Sequence, residues 1–302
     1  MMDRRALLWI VGTAAIASGL SWFTTTWQSP SSEATTSTPD VPQRIISLSP
    51  AVTETLYALG GGGALIARTD YCDFPPQAME LPSVGSGFSP DLEAIVRLQP
   101  DHILTDGSAT IDRAALSQLA PTTPLPWLTL DDVTRSITQL GTITGRHEEA
   151  QRLVREFSTR LTTPAPANGP RTLLLLNPVD GDGEDLWFVR PNSIHGRVLH
   201  AAGSRNAIEE EVQGAASLSM EGLLRVDPDV IIALVPRKNL SAAERRRFND
   251  KMARFGNLRA VQNQAIGFLA GPEHYATGPR ILDLIGALRD TLSQMSLGEP
   301  PT

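Results

Sequence analysis

The reactive side chains of this sequence do not form a recognisable catalytic motif. No Gly-x-Ser-x-Gly, phosphate-binding Gly-x4-Gly-Lys-Ser/Thr or His-Glu-x-x-His pattern is present. The single cysteine, Cys72, would need a histidine base to act as a nucleophile, and no spacing provides one. His195 and His200 are five positions apart, which does not suit two metal ligands on one helix face. We therefore predict a protein that is not an enzyme and holds no resident cofactor or metal; a secreted enzyme using Cys72 is the remote alternative.

Aromatic side chains in predicted loops are the candidates for ligand contact. Tyr71 follows an apolar run that predicts a strand, and ligands bind beyond the carboxyl ends of parallel strands. Its ring offers a flat apolar face with a polar tip, which suits a large planar ligand. Trp187 lies in a long loop of the second half, and His274 and Tyr275 lie in a loop before the last predicted helix. Each could equally be an ordinary loop residue; Cys72, beside Tyr71, could line the same pocket.

Two stretches of the sequence repeat one pattern. Residues 91–101 match residues 219–229 at a constant offset of 128, with Glu, Arg, Pro and Asp at the same places. The match makes Glu93 and Glu221 equivalent, each in the first turn of a predicted helix. Acidic residues there stabilise a helix by roughly 0.3–1 kcal/mol through its dipole. Alternatively, each half presents one carboxylate to a basic partner with two-fold symmetry, where charge pairs fix the docking geometry. The spacing alone leaves both open.

Short apolar runs that alternate with helical patterns predict mainly parallel sheets covered by helices on both faces. In the first half, strands are predicted at 44–48 and 102–105. The helix that precedes the second of these is expected to begin at Ser89 and Pro90, with the serine as cap and the proline in the first turn. The same order recurs in the second half, beginning with a strand at 171–176.

The recurrence predicts an α/β fold of two Rossmann-like lobes, each a mainly parallel sheet flanked by helices, joined by a single long helix. The helix before the junction is expected to break at Gly141 and Gly145. The cleft between two such lobes is the default ligand site. The predicted boundaries are 43–145 for the N-terminal lobe, 146–163 for the connecting helix, 164–302 for the C-terminal lobe and, within it, 281–292 for the last helix.

The N-terminal segment is typical of an exported protein. Residues 6–23 carry no charge and follow Arg4 and Arg5, the pattern of a secretory signal. A stretch of this length would also just span a bilayer, and the preceding positive charge places the rest outside the cytoplasm. We predict a signal peptide or membrane anchor at 1–28, a flexible linker at 29–42 and a periplasmic or other extracytoplasmic location.

The composition excludes several classes of protein. The net charge of −7 argues against nucleic acid as a partner, which requires a basic face. A length of 302 residues suits two domains, and one cysteine at position 72 excludes an internal disulfide and a lipid-anchored N-terminal segment. Most of the negative charge lies on residues 41–145, which either faces a basic partner or is solvated surface.

Three motifs together resemble a known family of transport proteins. They are Arg-Ile-Ile-Ser-Leu-Ser-Pro-x-x-Thr-Glu at 44–54, Tyr-Cys-Asp-Phe-Pro-Pro at 71–76 and Asp-Leu-Glu-x-Ile-x-x-Leu-x-Pro-Asp at 91–101. In combination they are similar to the helical-backbone (class III) periplasmic solute-binding proteins of ABC importers, over residues 43–292. The resemblance implies two α/β lobes joined by one long helix, little closure on binding, and ligands such as cobalamin, ferric siderophores and haem.

The tyrosine motif is most similar to the vitamin B12 branch of that family. The resemblance implies that Tyr71 and Trp187 line a corrinoid site, and that Glu93 and Glu221 dock onto arginines of a permease dimer. It therefore predicts a monomeric solute-binding protein that captures a metal chelate, cobalamin first, and delivers it to the permease. If the N-terminal segment is not cleaved, it attaches the protein to the membrane.

Four positions depart from that branch. Gly87 and Asp106 stand where the branch has tryptophans, and Pro272 and Ala276 stand where an aspartate and an arginine contact the corrin ring. The residues that could fill this space are Phe88, His274 and Tyr275. A haem or ferric-siderophore binder of the same fold is the alternative, and the adjacent histidine and tyrosine would favour it.

Overall fold

The computed structural model describes residues 41–107, 112–163, 167–179, 185–210, 212 and 216–296. The predicted signal peptide or anchor at 1–28 lies outside these residues, as does nearly all of the predicted linker. Within the ranges just given, no helix is long and apolar enough to cross a membrane.

Two parallel sheets form the framework of the described residues. The first sheet has the strand order β2-β1-β3-β4 and the second the order β10-β9-β5-β7, and every pairing within them is parallel. A short antiparallel pair, β6 and β8, accompanies the second sheet. The predicted α/β architecture is confirmed. The strands are β1 (Ile45–Ser47), β2 (Leu65–Ala67), β3 (His102–Thr105), β4 (Thr122–Pro124), β5 (Arg171–Leu176), β6 (Leu186–Trp187), β7 (Arg205–Asn206), β8 (Ser217–Leu218), β9 (Val230–Val235) and β10 (Ile266–Ala270).

Helices connect most of the parallel strands, as crossover topology requires. They are α1 (Pro50–Ala58), α2 (Leu92–Leu98), α3 (Arg113–Ser117), α4 (Leu130–Ile143), α5 (His147–Leu161), α6 (Ile194–Ala201), α7 (Met220–Val226), α8 (Ala242–Ala253), α9 (Arg259–Gln262) and α10 (Leu284–Ser296). The last helix starts later than predicted because residues 279–283 form a 3-10 turn. The expected start of α2 at Ser89 and Pro90 is wrong, because the carboxylate of Asp91 accepts the amide of Ala94 and caps the helix there.

The predicted repeat is present in the fold. α2 and α7 begin and end at positions that are 128 residues apart, and a side chain caps each, Asp91 in one and Ser219 in the other. Both helices end at a residue in the left-handed region, Gln99 with φ 46° and Asp227 with φ 43°. The two lobes therefore share local geometry as well as sequence.

An arginine at the start of each sheet fixes these helix ends. Arg44 donates to the carbonyls of Leu98 and Gln99 at 2.6 and 3.1 Å. Arg171 makes the equivalent bonds to the last turn of α7, at 3.0 and 3.1 Å. Carbonyls in the last turn of a helix lack an intrahelical partner, so these bonds satisfy them. The pattern explains why an arginine stands directly before β1 and another at the first position of β5.

The two sheets share one apolar core. A single buried cluster contains Leu104 of β3, Leu174 of β5, Leu140 of α4 and Phe157 of α5. The described residues from 41 to 296 accordingly form one compact unit. α5 occupies most of the predicted connecting helix at 146–163 and packs along α4. The predicted lobe boundaries stay predictions.

Gly141 does not break α4, contrary to the expectation from sequence. The helix continues to Ile143, and a turn then follows in which Gly145 has φ 68°. The glycine is needed for packing, because a Cβ at Gly141 would lie 2.4 Å from the Cβ of Ala150 in α5. The absence of a side chain thus lets the two helices approach closely.

We expect Gly141→Ala to lower the free energy of unfolding by about 1–3 kcal/mol, since the added methyl overpacks the contact between α4 and α5. The matched control is Gly286→Ala in α10, where a Cβ would meet nothing within 4 Å. That change should stabilise the helix by roughly 0.5–1 kcal/mol. Urea denaturation of both variants checks the prediction, and two changes of the same sign would contradict it.

Candidate functional site

A cleft of about 400 Å³ opens at the carboxyl ends of the strands. Residues 49–51, which follow β1, Asp106, which follows β3, and residues 127–128, beyond β4, form one wall. Residues 275–277, beyond β10, form the opposite wall. The cleft therefore lies where ligands bind in open parallel sheets, between segments of both lobes.

Two hydrogen bonds hold the 275–277 wall in place. The Tyr275 hydroxyl donates to the carbonyl of Leu234 in β9 at 2.8 Å. The His195 Nε2 lies 3.1 Å from the carbonyl oxygen of His274. A carbonyl only accepts, so this nitrogen carries the proton. Burial lowers the pKa of His195 from 6.5 to about 4, which keeps its ring neutral. The wall is thus fixed to the second lobe from two sides.

We expect His195 to make folding stability depend on pH between about 6.5 and 4. The folded pKa is depressed, so the unfolded chain takes up a proton in this range while the folded chain does not. Stability is full above pH 6.5 and falls with decreasing pH, by about 2 kcal/mol from this group at pH 5.

His195→Gln should remove that component, because an amide can donate to the same carbonyl without titrating. Urea denaturation at pH 7 and pH 5 measures it in both proteins. His147→Gln, at an exposed position, is the control and should keep the pH dependence of the parent chain. Equal pH dependence in His195→Gln and the parent would contradict the role given to His195.

Trp127 forms part of the first wall and was not among the sequence candidates. Its side chain is 5% exposed, and its Nε1 has no hydrogen-bond partner among the described residues. The residue lies just beyond β4, as Tyr71 lies beyond β2, so its place after a strand could have identified it. β4 is only three residues long and is flanked by prolines, and the sequence therefore did not predict it.

Three predicted aromatic contacts present their rings to solvent. Tyr71 and Phe88 are each 66% exposed and Trp187 is 50% exposed. The loops of Tyr71 and Phe88 are joined by a 2.9 Å bond from the Asp70 amide to the Gly85 carbonyl. An exposed aromatic ring offers a flat apolar face to a ligand. Their contact with a ligand stays a prediction.

Cys72 does not reach the surface of the cleft. Its side chain is completely buried, and its Sγ lies 3.2 Å from the Thr53 hydroxyl and 3.1 Å from the Thr69 hydroxyl. The predicted contact of Cys72 with a ligand is therefore corrected, since the thiol packs beneath the Tyr71 loop. The same burial gives no support to an enzyme that uses this thiol.

Gly87 has no room for the tryptophan that the resemblance places there. A Cβ at this position would lie 2.7 Å from the backbone carbonyl of Leu48. Asp106, at the other tryptophan position, lines the cleft. The side chain of His274 is 15% exposed, and burial lowers its pKa. The site thus differs from the resembled branch in shape as well as in sequence.

Glu93 and Glu221 lie away from the cleft lining, on the surfaces of α2 and α7. Their side chains are 91% and 81% exposed. Each pairs with the arginine four residues on, Arg97 at 3.8 Å and Arg225 at 2.8 Å. Exposed pairs of this kind contribute about 0.3–0.5 kcal/mol, so a partner's arginine can replace them at small cost. No cluster of three or more metal-ligating side chains occurs in the described part of the chain.

Two α/β lobes with a cleft at their strand ends define a two-lobed solute-binding protein. The family described as periplasmic binding protein matches residues 45–270, and the chain belongs to this family. Proteins of the family are the solute-binding components of ABC importers, and this chain has that role at an extracytoplasmic location.

Individual relatives refine the comparison. The vitamin B12-binding protein of Pectobacterium atrosepticum is 31% identical over 200 residues, which cover 64% of this chain and 71% of the relative. The crystal structure of the periplasmic vitamin B12-binding protein BtuF of Vibrio cholerae has a TM-score of 0.65 and 25% identity, covering 85% of this chain and 98% of that one. The haem-binding protein HutB of the same species has a TM-score of 0.68 at 21% identity, covering 83% and 98%; it shares the fold.

Proposed function

We propose that this protein captures a metal chelate in the cleft, cobalamin first, and delivers it to an ABC permease dimer. The observation that carries the proposal is the cleft at the strand ends of a chain that is 31% identical to a vitamin B12-binding protein. Tyr71, Phe88 and Trp187 are outside the cleft lining, but their rings are exposed and support the proposal as surfaces against which a planar corrin can pack. Burial of apolar area contributes about 25 cal/mol per Å² to such binding.

Haem or a ferric siderophore is the second candidate. Its support is the fold shared with a haem-binding protein and the adjacent His274 and Tyr275. The Tyr275 hydroxyl, however, donates to a backbone carbonyl, and the His274 side chain is mostly buried. An iron ligand would have to leave these positions, so cobalamin ranks first.

Thermal unfolding with three separate additions ranks these ligands. A ligand at 100 times its dissociation constant stabilises the folded protein by about 2.7 kcal/mol. Cyanocobalamin should raise the unfolding midpoint most, and haemin and a ferric siderophore less. A shift with haemin alone would select the second candidate, and no shift with any of the three would contradict the ligand class.

The proposal also covers how the protein docks onto the permease and how it is held outside the cytoplasm. The protein acts as a monomer, and Glu93 and Glu221 contact arginines of the permease. The segment at 1–28 directs export and is either cleaved or kept as a membrane anchor. Mass measurement of the protein recovered from cell fractions distinguishes these: loss of the segment from a soluble fraction shows cleavage, and an intact chain in the membrane fraction shows an anchor.

A further inference from the structure

Arg280 joins the two lobes directly. It lies in the 3-10 turn at 279–283 of the second lobe, and its guanidinium contacts the first lobe at three places. Its Nε and Nη2 donate to the Glu54 carboxylate at 3.0 and 2.5 Å. Its Nη2 also lies 3.4 Å from an Asp73 oxygen, and its Cζ is 4.3 Å from the centroid of the Phe74 ring. One side chain thus holds α1 and the loop that carries Tyr71.

The backbones of the two lobes touch beside this arginine. A Cβ on Gly278 would lie 3.2 Å from the Cα of Ala51 and 3.1 Å from Glu54 Oε2. Ala51 and Thr277 line the cleft. The contact between α1 and residues 276–280 therefore forms one end of the cleft, and its spacing fixes the distance between the walls.

The central ion pair is buried. The Glu54 side chain is 3% exposed and that of Arg280 is 17% exposed, whereas Asp73 is 46% exposed. Removing one member of a buried pair leaves its partner's charge without compensation, which destabilises that arrangement strongly. The pair therefore favours one relative position of the lobes, and the outer contacts to Asp73 and Phe74 extend this constraint to the Tyr71 loop.

We propose that Arg280 is a positioning residue that sets the relative position of the two lobes and holds the Tyr71 loop (residues 70–74) against the second lobe. It acts through Glu54, Asp73 and Phe74 and does not line the cleft. The consequence for ligand affinity rests on the proposed function, whereas the constraint on the lobes does not. An arginine suits the role because a planar guanidinium can bond two carboxylates and stack on a ring at once, which a lysine cannot.

Interlobe distances test the proposal without any ligand. Spin labels at Arg97→Cys and Arg225→Cys, in a Cys72→Ser background, report one exposed position on each lobe. Arg280→Gln should broaden the distance distribution by about twofold, and Arg280→Lys should give an intermediate width. The control is Arg259→Gln, which removes ion pairs to Asp227 and Asp229 within the second lobe and should keep the parent width. The parent width in Arg280→Gln would overturn the proposal.

Hydrogen exchange of the Asp73→Asn variant provides a second test if Arg280→Gln does not fold. This change leaves the buried pair with Glu54 in place and weakens only the outer contact. The amides of residues 71–74 should exchange about two- to fivefold faster, as expected for the loss of an exposed ion pair, while those of α1 stay at the parent rate. Unchanged exchange in the loop would overturn its fixation by Arg280. Neither the interlobe distances nor the exchange rates depend on cobalamin binding. These experiments can therefore support or overturn the role of Arg280 even if the protein does not bind cobalamin.

Discussion

We expect Thr277→Trp to weaken ligand binding by at least about 100-fold, equivalent to about 2.7 kcal/mol, while the protein stays folded. Thr277 lines the cleft opposite residues 49–51, and an indole there would occupy the space between the walls. The walls are fixed by the contact of Gly278 with Ala51 and cannot easily separate. The added indole would therefore take up space that the ligand needs.

Calorimetric titration with cyanocobalamin measures the effect. Thr138→Trp is the matched control, because Thr138 is an exposed residue of α4 away from the cleft. It should bind as the parent does. Parent-like affinity in Thr277→Trp, with parent-like circular dichroism, would place the ligand elsewhere on the protein.

The second large effect concerns delivery. Glu93→Lys combined with Glu221→Lys should lower uptake by about 100-fold or more, since a lost interfacial charge pair costs about 2–5 kcal/mol. Ligand affinity should stay within about twofold of the parent, since both side chains lie outside the cleft lining. A loss of uptake without a loss of ligand affinity is the result expected for residues of a docking surface.

Uptake of labelled cobalamin by cells that carry only the variant chain measures delivery, and calorimetry measures affinity. The control replaces two other exposed helical acids, Glu148→Lys with Asp290→Lys, and gives the same change in net charge. Glu148 lies in the first turn of α5, as Glu93 does in α2. Equal loss of uptake in both double variants would attribute the effect to total charge, and weakened ligand binding in the first would refute a separate docking role.

Much of the architecture follows from sequence because it depends on local patterns. The apolar run at 173–176 lies in a strand of the second sheet, and the strand at 102–105 has the predicted bounds. The match of 91–101 to 219–229 predicted two equivalent helices, with Glu93 and Glu221 in their first turns, and both are present. Caps and apolar periodicity act within a few residues, so the sequence displays them directly.

The errors arise where distant packing or competing signals decide the outcome. Gly141 stays in the helix because α5 packs so closely against α4 there that a side chain would not fit. Helix propensity describes single residues and does not include such a contact between helices. Ser89 and Asp91 are both good capping residues and stand close together, so the sequence does not decide between them. The backbone geometry makes Asp91 the cap of α2. In both cases the local sequence preference allowed more than one structure, and the surrounding structure determined which one formed.

The candidate site was only partly accessible to sequence reasoning. Tyr275 was predicted and lines the cleft, whereas Trp127 was missed and Cys72 is buried beneath its loop. Burial of a loop side chain depends on which segments cover it, and no spacing rule gives this. The contact between Arg280 and Glu54 joins residues 226 positions apart, so it is recognised only in the folded structure.

Calorimetric titration of the parent protein with cyanocobalamin measures directly whether the chain binds the proposed ligand. We expect saturable binding at a single site with a dissociation constant of about 1 μM or tighter, equivalent to about −8 kcal/mol or better. The absence of binding at micromolar concentrations of cyanocobalamin, followed by the same result with haemin and a ferric siderophore, would contradict it.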